Sequence, residues 1–196
     1  MRIKHLTPSD YRVSRWSGGT TTQLCIAPEG ADYAHRDFLW RVSSATVELE
    51  SSDFTMLPDY HRWITTLEGS ITLTHEGGAP ISLSPFDVHS FDGGVHTQSL
   101  GRCTDFNLML RKGMCNGSVR PLHFAGSGTM EVGSPDPKST MLLYCASGSG
   151  TLTAEGSVIP CAQGESVLIE DAAQVALVLT AGGPSDFLLA EMREKS

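Results

Sequence analysis

The chain has 196 residues, 40% hydrophobic and 18% charged, which is enough apolar material for one large or two small cores and too little charge for a disordered polymer. Fourteen Lys and Arg against 22 Asp and Glu give a net charge of −8, the wrong sign for a nucleic-acid surface, and no basic cluster offsets it. The longest wholly apolar run, Met141 to Ala146, is far shorter than the roughly 20 residues of a membrane-spanning helix, and Met1 to His5 lead into polar residues rather than a signal core.

These features predict a cytoplasmic protein with no nucleic-acid or membrane partner. Cys25, Cys103, Cys115, Cys145 and Cys161 are odd in number, widely separated and without a CxxC pair. They read as free thiols rather than a disulfide framework or zinc knuckle. Short runs of Val, Ile, Leu, Thr and aromatics, punctuated by Gly and Pro and lacking a helical period, predict an all-β chain with very little helix.

The one helical signal is Thr7-Pro8-Ser9-Asp10, a capping hydroxyl, a proline at the first helical position and an acid three residues past the cap. Strands are then predicted at Thr20–Ile26, Phe38–Leu49, Arg62–Leu67, Ser70–His75, Val88–Phe91, His96–Leu100 and Thr104–Arg111, with turns at Glu68-Gly69, Glu76-Gly77-Gly78 and Asp92-Gly93-Gly94. A polar joint at Lys112–Ser118 precedes a second series at Met141–Ala146, Gly150–Ala154, Ser166–Glu170, Val175–Thr180 and Phe187–Glu191. Two such series suggest paired sandwiches or barrels, since closure or double layering disposes of strand edges. The predicted units are 1–115 and 116–196, with terminal strands free to cross between them.

Two phrases repeat in layout. Ile64 to Leu73 and Leu143 to Leu152 are each an apolar strand, a tight glycine turn and an apolar or Thr-rich strand, followed by another strand after a turn. In this the sequence resembles a duplicated cupin, a bicupin of two jelly-roll barrels. The resemblance implies a metal held by two histidines and a glutamate before the glycine turn and by one more histidine after a Pro-x-Gly turn. Counting back from Gly69 places Arg62 at the glutamate and Met56 and Pro58 at the histidines, while Ser90 stands at the last histidine. Counting back from Gly148 gives Met141, Pro137 and Pro135, and Asp171-Ala172-Ala173-Gln174 carries no histidine. A divalent ion needs converging imidazoles or carboxylates, and a guanidinium repels it. Two metal-free barrels are therefore expected, without cofactor, with Arg62 as an anion seat. His61 and His89 are each one residue from a mapped position, on the opposite strand face.

Asp105, Asn107, Met109 and Arg111 alternate with Phe106, Leu108 and Leu110, so they share one face of a strand. That face is either a solvated exterior or a polar wall inside the barrel. In the second case Arg62 and Arg111 clamp a carboxylate bidentately and Asn107 orients it, with Asp105, Trp40, Ser90 and His61 completing the candidate ligand-binding residues. Trp16 and Trp40 are open to either pocket wall or core. Of Trp40 and Arg41, alternation lets only one face inward. Trp63 should point opposite to Arg62, and Asp92 reads as a turn acid.

The segments Trp16 to Thr22, Asp37 to Ala45, Leu57 to Arg62, Leu67-Glu68-Gly69, Phe91-Asp92-Gly93 and Asp105 to Arg111 closely resemble the HutD/Ves family of bicupins. The resemblance implies a cytoplasmic bacterial protein that, in some relatives, is encoded beside histidine-breakdown enzymes and binds an acidic intermediate such as urocanate or formylglutamate. The leading expectation is a small-carboxylate binding protein of this type. The alternative is a metal-independent isomerase or hydrolase using His61 or Asp105 as acid and base, and a metal-dependent dioxygenase ranks third. Val175 to Leu179 fits core or a dimer surface equally, so a homodimer is left open.

Overall fold

The computed structural model describes residues 1–134, 136, 138–171 and 176–195. Pro135 and Pro137 of the mapped second motif, Ala172 to Gln174, and Val175 at the start of a predicted strand lie outside the described residues. In chain order the strands begin with β1 (Arg2–Leu6), β2 (Arg12–Trp16), β3 (Gly19–Ala27), β4 (Trp40–Val47) and β5 (Ser51–Asp53). Next come β6 (Tyr60–Glu68), β7 (Ile71–His75), β8 (Ile81–Leu83), β9 (His89–Asp92), β10 (Thr97–Leu100) and β11 (Cys103–Arg111). The chain continues through β12 (Cys115–Phe124), β13 (Gly128–Glu131), β14 (Ser139–Ser147) and β15 (Ser149–Ala154). It ends with β16 (Ser157–Ala162), β17 (Ser166–Glu170), β18 (Leu177–Ala181) and β19 (Ser185–Glu194). The predicted helical turn is a 3-10 turn at Pro8–Asp10, closed by the Asp10 carboxylate accepting from the Thr7 N–H and hydroxyl, each at 2.8 Å.

The chain divides into two compact units, Tyr11–Asn116, and Met1–Asp10 together with the chain from Gly117 onward. The boundary between the units, Asn116 to Gly117, falls inside the predicted joint at Lys112–Ser118. Its first three residues are a turn, and Cys115 already opens β12. The first ten residues join the C-terminal unit because β1 pairs antiparallel with β17, from Arg2↔Glu170 to Leu6↔Ser166.

Each unit is all-β and cupin-type, two sheets face to face. In the first, the sheet β2-β3-β4-β11-β6-β9 packs on β5-β10-β7-β8, and in the second β1-β17-β14-β19-β12 packs on β13-β18-β15-β16. The order β4-β11-β6-β9 matches β12-β19-β14-β17, and β5-β10-β7-β8 matches β13-β18-β15-β16, so the duplication read from two phrases extends through both sheets. The shared turn glycines, Gly69 and Gly148, sit at φ +74° and +73°. A Cβ there would meet the Arg102 carbonyl oxygen at 2.4 Å and the Pro184 carbonyl oxygen at 2.6 Å. Only glycine takes this backbone at such close approach without strain.

Burial follows the period-two pattern. Ile71 and Leu73 of β7 meet Ile64 of β6, Leu83 of β8 and Phe91 of β9 in the core of the first unit. One end of this unit is plugged by Phe38, Leu57, Tyr60 and Met109, with Phe38 stacked on Tyr60 at 4.3 Å and the Tyr60 hydroxyl donating to the Phe38 carbonyl at 2.9 Å. Tyr60→Phe is expected to cost about 1–2 kcal/mol in urea unfolding, because it leaves that buried carbonyl without its partner. An unchanged unfolding midpoint and slope would show that the bond contributes nothing.

Candidate functional site

Strands β4, β11 and β6 lie side by side, and their registers set three rows across the inner face. Arg41, Met109 and Arg62 form the first, Ser43, Asn107 and Ile64 the second, and Ala45, Asp105 and Thr66 the third. Two arginines thus flank Met109, their backbones separated by about 10 Å, two strand spacings. All residues of these rows but Ile64 and Thr66, together with Tyr33, Phe54, Thr55, Ser52 and Asp53, and with Ser14, Trp16 and Thr21 of the β2–β3 hairpin, line a cavity of about 320 Å³.

Asp105 and Asn107 are 6% and 4% exposed, so the polar face of β11 looks into this cavity and not onto a solvated exterior. Arg62, 7% exposed, lies with its guanidinium carbon 4.9 Å from the centre of the Phe54 ring and 5.2 Å from that of Phe91, aromatic faces that attract a cation. Gly93 makes room for it, since a Cβ there would come within 3.2 Å of Arg62 Cδ and 2.8 Å of the Leu57 and Tyr60 carbonyl oxygens. Arg41 donates from Nε to Gln23 at 2.8 Å and from Nη1 to Ser43 at 3.1 Å. Its guanidinium and that of Arg36 lie over the Tyr33 ring at 4.3 and 3.6 Å.

Burial dominates the electrostatics. It brings Arg62 down to about 10 despite the attraction of Tyr33 and Asp105, with Arg41 lowering it further. Burial also pushes Asp105 up to about 7, against the attraction of Arg62, the N–H bond from Ala45 at 3.1 Å and the attraction of Arg41. On the sheet wall two guanidiniums therefore face one carboxyl that is only partly ionised at neutral pH, and that wall is net positive; the other carboxyl of the lining, Asp53, is exposed and lies 3.2 Å from His96. Among the described residues, Arg62 Nε and Asn107 Oδ1 are buried without a hydrogen-bond partner. One is a donor and the other an acceptor, and buried polar groups are rarely left so.

Of the residues singled out from sequence, the structure brings Arg62, Asp105 and Asn107 together and places the other four elsewhere. Arg111 pairs with Tyr60 at the end of β11, level with the Phe38–Tyr60 plug, and does not line the cavity; Arg41 is the second arginine of the wall. Trp40, 5% exposed, is on the opposite sheet face to Arg41 and is core, whereas Trp16 lines the mouth. His61 alternates away from Arg62 and packs edge-on against Trp63 at 6.1 Å. Ser90 stands opposite Trp63 in the β6–β9 register and so shares that outer face. Asp92 is the turn acid expected, accepting from Gly94 N–H and Lys112 Nζ. Sequence reasoning left Arg41 undecided and missed Tyr33, Phe54 and Ser43. The signal for Arg41 was its in-register pairing with a residue of the Asp105 face, which needs the pairing of β4 with β11 to be read.

The residues do not fit the superfamily's metal. Met56 and Pro58 are exposed, Arg62 brings a cation, and Ser90 faces away. Among the described residues no group of three or more His, Cys, Asp or Glu could hold an ion. Nor is the site duplicated. With Gly148 matched to Gly69, the counterparts of Arg62, Asp105 and Asn107 are Met141, Phe187 and Leu189, all in the apolar core of the second unit.

Comparison with known proteins agrees with this architecture. Protein Ves of Cronobacter sakazakii (strain ATCC BAA-894) is 31% identical over 115 residues, covering 55% of this chain and 60% of that relative; the match thus spans less than two thirds of Ves. A conserved protein of unknown function from Pseudomonas aeruginosa PAO1 superposes with a TM-score of 0.85 at 24% identity, over 98% of this chain and 100% of the other. HutD from Pseudomonas fluorescens SBW25 superposes at 0.77 and 20% identity over the whole of both chains. At these identities the structural likeness speaks for the fold alone. The HutD family model, however, matches residues 8–187, and the chain belongs to the HutD family.

Proposed function

We propose that the first unit binds a small carboxylated metabolite in the cavity between Arg41 and Arg62, without a metal. The observation that carries this reading is the pair of unpartnered buried atoms, Arg62 Nε and Asn107 Oδ1, in one net-positive wall. A carboxylate oxygen answers the first and an N–H or O–H on the same ligand answers the second. Family membership makes urocanate and formylglutamate the candidate ligands, and makes modulation of histidine utilisation in the cytoplasm the candidate role. No helix among the described residues is long and apolar enough to cross a membrane, which is compatible with that location.

Calorimetry with each acid at pH 7 tests the proposal. One of the two is expected to bind with one-to-one stoichiometry, and Asn107→Leu is expected to weaken it about tenfold or more through the lost acceptor. Failure of both acids to bind at millimolar concentration overturns the ligand assignment. The second reading, a metal-independent isomerase or hydrolase, now rests on Asp105 alone, a buried carboxyl at about 7 in the cavity wall. Turnover of a bound acid that is lost in Asp105→Asn, with binding retained, would favour it.

A further inference from the structure

Beyond the arginine wall, the first unit holds two half-buried, facing imidazoles that the binding site does not use. His75 Nε2 and His89 Nε2 are 2.8 Å apart, and His75 Nδ1 is 2.8 Å from Thr97 Oγ1. The Thr97 hydroxyl donates to the Val95 carbonyl at 3.1 Å, so it accepts from His75 Nδ1–H. That leaves His75 Nε2 bare, and the proton between the rings belongs to His89. His89 Nδ1 is then the open lone pair of the chain.

The ring centres are 5.1 Å apart and the planes 24° from coplanar. This is about as far apart as a 2.8 Å contact between ring nitrogens allows, so the two lone-pair axes run along one line. A metal ion needs lone pairs that converge on a point, with bonds of about 2.0–2.1 Å, and in-line imidazoles this close leave no room for one. The geometry is that of a shared proton.

Both rings rest on Phe91, His75 at 4.9 Å and His89 at 5.9 Å between centres, and Phe91 also faces the Arg62 guanidinium. We propose that His75 and His89 are a proton-sharing pair that takes up a single proton on acidification and thereby adds a positive charge to the wall of the anion site. This rests on the reading of that wall as an anion site. The proton enters at His89 Nδ1, which makes the His89-to-His75 bond charge-assisted. A second would have to displace that bond and set two cations side by side, so the pair titrates as a unit.

Burial holds both rings below their ordinary value, and His75 lowers His89 further, so the pair is neutral at pH 7 and charges below the ordinary histidine range. The charged or titratable groups around it are Arg62 of β6, Cys103 and Asp105 of β11, and Asp53 of β5, which contacts His96, just ahead of β10, at 3.2 Å. Glu76 and Asp87 lie in the flanking turns. Cys103 is pushed up to about 12 by burial and stays protonated, and Asp105 titrates near 7, above the pair.

Nitrogen-15 NMR of the unliganded full chain across pH 8 to 4.5 tests the pair without any ligand. His75 and His89 are expected to titrate together, with one proton taken up, and the Arg62 Nε–H resonance is expected to follow the same midpoint. In His89→Gln the Arg62 response at that midpoint disappears while the Asp105 step near pH 7 persists; His75→Gln gives the same result should the first variant fold poorly. Independent titration of the two rings, uptake of two protons, or an Arg62 response unchanged in both variants overturns the proposal. If urocanate binds, its affinity in wild type gains roughly two- to tenfold over His89→Gln on going from pH 7 to pH 5, as expected for one charge on the order of 10 Å away. Absent binding with the coupled titration intact would count against the ligand assignment and leave the shared proton standing.

Discussion

Arg62→Ala is expected to weaken carboxylate binding on the order of 100-fold or more in calorimetry at pH 7, the range for truncating one partner of a buried, hydrogen-bonded charge pair. Arg62 is buried against the Phe54 and Phe91 faces, among the described residues its Nε has no hydrogen-bond partner, and its attraction for a carboxylate is little screened by water. Arg111→Ala, by contrast, should leave the affinity unchanged, since Arg111 stands level with Tyr60 of the plug and is not among the residues that line the cavity. The two variants separate a clamp made by Arg62 and Arg41 from one made by Arg62 and Arg111. Folding should survive the first substitution, and Arg62→Met, which refills the volume, gives a check. The charge is costly to bury, and its loss lets Asp105 revert to the neutral carboxyl that burial already favours. Equal binding by wild type and Arg62→Ala, with the same circular dichroism, would remove the arginine from the site.

The strands that the sequence did not reveal are β1, β2, β5, β8, β12, β13 and β16, and every one of them is the edge of its sheet. An edge strand has one unpaired side, so selection against edge-to-edge pairing puts charge, proline and glycine there and erases the apolar alternation by which strands are read. β2, Arg-Val-Ser-Arg-Trp, is exposed along its whole length, β12 contains Gly117 and Pro121, and β16 contains Pro160. Central strands kept their signal. In β11 the alternation of Asp105, Asn107 and Met109 with Phe106, Leu108 and Leu110 gave the inner face residue by residue. Periodicity names a face but not where a cavity along that face ends, and this is why Arg111, level with the Tyr60–Phe38 plug, was grouped with residues that line the cavity. The same limit applies to His75 and His89. They lie 14 residues apart on strands that are not adjacent in either sheet, and meet only because the two sheets pack face to face.

Asp105→Asn is expected to stabilise the protein at pH 8 and to flatten its stability between pH 4 and pH 8. Burial raises the folded-state value of Asp105 to about 7 from the usual 3.8. Between those values the folded chain therefore holds a proton that the unfolded chain has released. With more protons bound in the native state, stability falls as pH rises through this window and levels off above about 7. For this group the loss is on the order of 4 kcal/mol, in a direction opposite to that of an ordinary salt-bridged carboxylate. Asparagine keeps an oxygen to accept the Ala45 N–H and cannot ionise, so the variant should show no such fall, a difference that urea unfolding at pH 5, 6, 7 and 8 measures directly. The same substitution bears on the ligand. Above pH 7 the Asp105 carboxylate competes with a bound carboxylate for Arg62 and Arg41, so Asp105→Asn should bind urocanate or formylglutamate more tightly than wild type at pH 8, by about tenfold, and converge with it near pH 5. A variant that keeps the full pH slope would assign that slope to groups other than Asp105, and one that is less stable than wild type at pH 8 would place the Asp105 charge in a satisfied ion pair. The ionised Asp105 would then neutralise one of the two arginines and leave a single uncompensated guanidinium to hold an incoming acid.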